Sequence, residues 1–141
     1  MVRGGSIDPW SSEQSTDYDR MIEQFGLTPL DLGSIPNPGM LHRRGIVFAH
    51  RDMDVITDSI TKGDPFGVLT GLMPSGRMHL GHSMVIEQVR WFQEQGADVT
   101  VAVADLEALA TRGTSLSRGR ETALREYVSN YAALGLNSDK T

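Results

Sequence analysis

The first sixteen residues are mostly polar and glycine-containing and read as an arm, after which apolar positions fall into a helical rhythm. In TDYDRMIEQF, from Thr16 to Phe25, Tyr18, Met21, Ile22 and Phe25 recur at three- and four-residue steps and Gly26 follows as a stop. That spacing predicts a short amphipathic helix. SIPNPGM, with Pro36, Asn37, Pro38 and Gly39, disfavours any regular element. GIVFAH then predicts a strand, and MDVITDSITKG a helix closed by Gly63.

The second half is more regular. FGVLTGL is an apolar run of strand length, HSMVIEQVRWFQEQG a helix ended by Gly96, and DVTVAVADL a second, valine-rich strand. Together they make a βαβ unit. Strands apolar at nearly every position suit a parallel sheet covered on both faces, because a half-exposed strand would alternate. From Leu116 onward, Leu124, Tyr127, Val128, Tyr131 and Leu134 recur at helical intervals up to Gly135. The series strand, helix, strand, helix predicts an α/β fold, a Rossmann-like doubly wound parallel sheet. Residues 1–65 form an extension of arm, helix, strand and helix, and residues 66–141 the first half of the sheet domain. The chain stops at LGLNSDKT, where a third parallel strand is expected. It therefore reads as truncated, with apolar faces such as those of Leu124, Tyr127 and Val128 short of partners.

Composition narrows the class. A chain of 141 residues, 39% hydrophobic and 22% charged, has the size and balance of one soluble domain. No run approaches the roughly 18 apolar residues of a membrane span. MVRGGSIDPW lacks the apolar core of a signal peptide, so the expected location is the cytoplasm. The absence of cysteine excludes a disulfide framework and thiolate metal sites. A net charge of -5 argues against a basic nucleic-acid coat but leaves room for a local basic patch. Arg112, Arg118, Arg120 and Arg125 could meet RNA phosphates or simply form a solvated helix surface.

Candidate chemistry gathers in LTGLMPSGRMHLGH, Leu69 to His82, where the first strand of the βαβ unit hands over to its helix. In open α/β sheets ligands bind beyond the carboxyl ends of the strands, and helix N-termini there favour anions. Gly71 and Gly76 offer backbone freedom, and Gly81 removes a Cβ where a flat ring could approach the first helical turn. His79 and His82, three apart, can share one face of that turn and donate to phosphate oxygens. The alternatives are a metal site, for which no third ligand is obvious nearby, and two satisfied structural histidines. Neither a P-loop nor the dinucleotide fingerprint is present to explain the glycines.

PSGRMHLGH resembles the first signature of class I aminoacyl-tRNA synthetases, the HIGH element, with its upstream proline and small residues in place. IDPW followed by DYDRMIEQFGL, then RRGIVFAHRDMD, TGLMPSGRMHLGH, VAVADLEALATRG and EYVSNYAALGL, are similar to segments of the archaeal-type tryptophanyl branch of that family. Together they cover most of residues 7 to 136. The tyrosyl branch shares the PSG, HLGH and AD elements, and the N-terminal segments favour tryptophan.

The resemblance implies an ATP-dependent ligase that activates tryptophan as an adenylate and passes it to tRNA(Trp). ATP is then a substrate accompanied by Mg2+, without a dedicated protein metal cage, and no membrane is involved; a homodimer is a further partner it admits. His79 and His82 take the catalytic role of stabilising the ATP phosphates. Pro74, Ser75, Gly76 and Gly81 complete the ATP site, with Gly81 by the adenine. Thr70, Gly71, Met73 and Glu107 become the amino-acid site, with Glu107 on the substrate ammonium; its plain alternative is an ordinary acid in the first turn of a helix. The sequence departs from the family at Ser83, where a lysine is common, and at Leu109, where an aromatic is common. The second signature, a KMSKS-like loop, and an anticodon-binding region are absent. This chain alone is thus expected to be inactive, and a non-catalytic nucleotide- or RNA-binding module is the competing reading.

Overall fold

The computed structural model describes residues 18–141; the arm, the IDPW segment and the first two residues of the predicted helix lie outside the described residues. The chain divides into two compact units, residues up to Thr57 and residues Asp58–Thr141.

In the first unit, α1 (Tyr18–Phe25) ends at Gly26, whose φ of +59 closes the helix in the left-handed region. Two short strands follow, β1 (Thr28–Pro29) and β2 (Ala49–His50), paired antiparallel. Between them lies one turn of helix, α2 (Met40–Arg43). The strand expected over GIVFAH is reduced to its last two residues for a definite reason. The N–H groups of Gly45, Ile46 and Val47 bond back to the carbonyls of His42 and Leu41, closing α2 instead of entering a ladder. Arg51 ties the second strand to α1 by donating to the Phe25 carbonyl at 2.7 Å. The helix expected over MDVITDSITKG is α3 (Met53–Lys62), in which Gly63 has φ +73 at the exit and His50 Nδ1 accepts the Met53 N–H at the entrance.

The second unit is built on β3 (Gly67–Leu72) and β4 (Asp98–Val103), paired parallel from Gly67 opposite Asp98 to Leu72 opposite Val103. The crossover between them is α4 (Leu80–Glu94). After β4 come α5 (Asp105–Arg112) and α6 (Leu116–Thr122), and the latter runs through a π-helical stretch, Ala123–Val128, into α7 (Ser129–Ala133). Ile86 of α4 packs with Tyr127 and Tyr131 against Leu72, Val101 and Val103, and Val89 of α4 packs against Val68, Val99 and Val101, with Leu136 against both clusters; these strand residues form one face of the sheet. Fully burying side chains of this size contributes roughly 1.5–3 kcal/mol each. The other face, with Leu69, Gly71, Thr100 and Ala102, is exposed, Leu69 to 76%. Within this span the strands therefore alternate, although their sequence is apolar on both sides.

The long C-terminal helix also differs from its expected stripe. Gly119, Ala123, Tyr127 and Tyr131 are buried at strict four-residue spacing, whereas Leu124 and Val128 face outward. The wider turn of the π segment sets this period. Tyr127, expected to lack partners, is completely buried. Beyond α7, buried Gln93 holds the terminal turn, accepting the Asn137 N–H at 2.8 Å and donating to the Asn137 and Lys140 carbonyls and the Thr141 hydroxyl. Among the described residues no helix is long and apolar enough to cross a membrane.

Candidate functional site

The junction of β3 and α4 is organised by its two histidines. His79 is the N-cap of α4, and its Nδ1 accepts the Gly81 N–H at 3.2 Å. His82, three residues on, returns the bond by accepting the His79 N–H on its own Nδ1 at 3.2 Å. Two donors that a helix start leaves unpaired are thereby satisfied reciprocally. The chemical consequence concerns the far side of each ring. With Nδ1 committed as acceptor, a neutral imidazole carries its proton on Nε2, so each ring holds one N–H donor directed away from its cap. The rings lie 4.0 Å apart, tilted by 45°. Burial, and next the neighbouring His79, hold the pKa of His82 below the ordinary histidine value.

Gly81 is explained by the same geometry. A Cβ at this position would sit 3.1 Å from Nδ1 and Cε1 of His79. The imidazole of His79 is thus a flat ring that already lies against the first turn. Gly71 and Gly76 depart from the expectation of special backbone freedom. Neither has positive φ, a Cβ on Gly71 would make ordinary contact with Ala102, and one on Gly76 would meet nothing within 4 Å.

The turn before the helix is held from below by a residue that sequence reading assigned only to the helix core. Tyr127 donates its hydroxyl hydrogen to the Met73 carbonyl at 3.0 Å, the Ser75 N–H donates to the same carbonyl at 2.8 Å, and the backbone N–H groups of Ser75 and Gly76 also face the hydroxyl oxygen. Its ring meets His82 edge-on at 5.7 Å. Burial raises the Tyr127 pKa against the opposing effect of those two N–H groups. The available signal was a tyrosine among aliphatic residues on a core-facing stripe, since a buried phenol needs a partner for its hydroxyl. Pro74, fully buried, Ser75, Gly76, His79, Gly81 and His82 therefore occupy one continuous structure around the start of α4.

The amino-acid candidates are less closely gathered. β3 and β4 end side by side, with Ala104 N–H bonded to the Leu72 carbonyl, so Met73 and α5 leave adjacent strand ends. The Thr111 hydroxyl donates to the Glu107 carbonyl at 2.7 Å and lies 3.4 Å from the Met73 sulfur. Thr70 is on the helix-covered face and Gly71 on the open one. Glu107 is exposed in the first turn of α5. Ser83 turns its hydroxyl back to the Leu80 carbonyl at 2.8 Å, and Leu109 is exposed. Among the described residues no three histidine, aspartate or glutamate side chains gather to hold a metal ion.

A parallel βαβ unit whose first helix starts at the carboxyl end of its strand defines an incomplete Rossmann-like domain. Comparison with known proteins makes the assignment specific. The profile of the family described as tRNA synthetases class I (W and Y) matches residues 61–141. The tryptophan–tRNA ligase of Methanosarcina acetivorans is 45% identical over 135 residues, which are 94% of this chain and 31% of that protein. That of Methanopyrus kandleri is 47% identical over 137 residues, covering 94% of this chain and 36% of the relative. The crystal structure of tryptophanyl-tRNA synthetase from Aeropyrum pernix superposes with a TM-score of 0.82 at 40% identity, over 96% of this chain and 38% of that one. The Encephalitozoon cuniculi tryptophanyl-tRNA synthetase bound to tryptophan gives 0.79 at 28% identity, over 89% and 40%. The chain belongs to the class I tRNA synthetase family of the tryptophan and tyrosine enzymes, and it spans about a third of the length of the relatives it matches.

Proposed function

We propose that this chain supplies the nucleotide-binding part of a tryptophan–tRNA ligase. In that reaction the tryptophan carboxylate attacks the α-phosphate of ATP, the bond to the leaving pyrophosphate breaks, and the aminoacyl group then passes from the adenylate to the tRNA end. The protein's contribution is positioning and stabilisation of charge growing on phosphate oxygens. The observation that carries the reading is the reciprocal capping of His79 and His82, which leaves two preorganised Nε2–H donors at the start of α4. Pro74, Ser75 and Gly76 border the same ligand. Mg2+ would arrive on the ATP oxygens and neutralise phosphate charge. Glu107, with the backbone from Thr70 to Met73, would receive the amino acid and pair its ammonium. The setting is the cytoplasm, where tRNA is charged, and a homodimer is compatible with this reading. The identity to archaeal tryptophan–tRNA ligases supports tryptophan over tyrosine.

The test joins this chain to the region that the Methanosarcina acetivorans ligase carries beyond the matched span and measures amino-acid-dependent pyrophosphate exchange. Tryptophan should support exchange and tyrosine should not. Replacing His79 or His82 by alanine should slow exchange by about 10²-fold, the scale of losing one preorganised donor. Exchange with tyrosine alone would overturn the specificity, and undiminished exchange with both histidines replaced would overturn the site.

A further inference from the structure

Four arginines stand close together in the sequence between α5 and the π segment, and the structure sorts them into two kinds. Arg120 lies 3.5 Å from Asp105 and Arg125 lies 3.4 Å from Glu121, so both have carboxylate partners. Arg112 and Arg118 have no side-chain hydrogen bond or ion pair among the described residues. Both line one cleft of about 480 Å³, walled on the other side by Pro74, Ser75 and Gly76 and completed by Gly113, Thr114, Ser115 and Thr122. The hydroxyls of Ser75, Thr114 and Thr122 are likewise without partners. Two guanidiniums and three hydroxyls thus line one cleft where no group of the described residues answers them.

We infer that this cleft is a docking site for the sugar-phosphate backbone of an RNA strand. Guanidinium forks and hydroxyls match phosphodiester oxygens and the 2′-hydroxyl. The lining contains no aromatic or aliphatic side chain apart from Pro74, so it offers nothing on which a base could stack and reads backbone alone. His79 and His82 do not line it, which separates it from the donors assigned to ATP although both share the 74–76 turn. The inference rests on the ligase reading for its RNA, since that reaction brings a second phosphate-bearing molecule to the start of α4. It explains how a chain of net charge -5 can hold RNA, through one local patch.

The experiment measures binding of fluorescently labelled tRNA(Trp) transcript to the 141-residue chain over a salt series from about 50 mM upward. Arg112→Gln/Arg118→Gln should weaken binding at least tenfold and lower the slope of log affinity against log salt by about 2, one phosphate contact per arginine. Arg125→Gln, which removes a paired cation of the same helix, should change neither by more than a fraction of that. ATP and inorganic pyrophosphate titrations on the double variant should match the parent chain, and matching thermal melts establish that the variant folds. Unchanged RNA affinity in the double variant, an equal loss in Arg125→Gln, or weakened ATP or pyrophosphate binding would each overturn the proposal. Tryptophan-dependent exchange needs no tRNA, so failure of the ligase reading and failure of this cleft appear in different measurements.

Discussion

His79 gives its backbone N–H to Nδ1 of His82, and its own Nδ1 takes the N–H of Gly81, both at 3.2 Å. Helix capping and the proposed ligand donation therefore use opposite nitrogens of the same rings and can be separated by substitution. Asparagine is a strong N-cap but has no counterpart to the Nε2–H reach of imidazole. His79→Asn should keep thermal stability within about 0.5 kcal/mol of the parent while His79→Ala costs about 1 kcal/mol. Both should lose ATP affinity. Melting curves and ATP titrations on the same samples check this, and full ATP binding by His79→Asn would detach the ring from the nucleotide.

Gly81→Ala tests the packing of that ring. A Cβ 3.1 Å from His79 is closer than such contacts ordinarily come, and His79 is held by a hydrogen bond to Gly81 itself. The imidazole should swing off its cap, so the variant loses about 1 kcal/mol despite the better helix propensity of alanine. Its His79 ring resonances should shift in NMR spectra. A more stable variant with unshifted resonances would show that the ring has room.

How much of this was legible in the sequence can be followed residue by residue. The glycine stops Gly26, Gly63, Gly96 and Gly135 all adopt positive φ, because each ends an element in a conformation costly for other residues. The apolar runs located β3, α4 and β4 for the reason that burial fixes their spacing. What escaped was set by other forces. Gly45 to Val47 bond backward to α2 and so cannot extend β2, a choice that β-branched composition does not reveal. The π segment changed the helix period to four, burying Tyr127 and turning Leu124 out. Around the site, the histidine pair was legible from its motif, whereas the role of Tyr127 depends on a contact 54 residues distant.

Acid should weaken the fold before any carboxylate titrates fully. His42 and His82 each accept a backbone N–H on Nδ1, from Gly39 and His79, and acceptance requires the neutral ring. Both have pKa values held below the ordinary value, His42 by burial and then Arg43, His82 by burial and then His79. The unfolded chain consequently takes up protons first, below about pH 6.5. The caps' contribution is complete above that pH and is lost as the pH falls from there through the folded-state values. Melting temperature should fall between about pH 7 and pH 5.5, and fall less in His42→Asn, whose cap does not titrate. A melting temperature constant or rising over this interval would contradict the assignment.

Tyr127 and Tyr131 make an internal control for the hydroxyl that holds the 73–76 turn. They are one helical step apart on the same buried row, with rings 6.3 Å apart. The Tyr127 hydroxyl has the Met73 carbonyl, while the Tyr131 hydroxyl is buried without a hydrogen-bond partner among the described residues and its pKa is pushed up to about 12 by burial and then by Tyr127. Removing each oxygen with phenylalanine keeps the ring and the packing. Tyr127→Phe removes one of the two donors to the Met73 carbonyl, which keeps the Ser75 N–H at 2.8 Å, and should cost about 1 kcal/mol. Tyr131→Phe removes a buried polar atom that has no partner among the described residues, and should be neutral or stabilising by up to about 1 kcal/mol. Urea melts of the two variants decide the matter. Amide exchange adds a local reading, because only Tyr127→Phe should speed exchange at Ser75 and Gly76. Equal losses from both substitutions would mean that the row is stabilised by ring packing alone, and that the turn carrying the candidate site is held by some other contact.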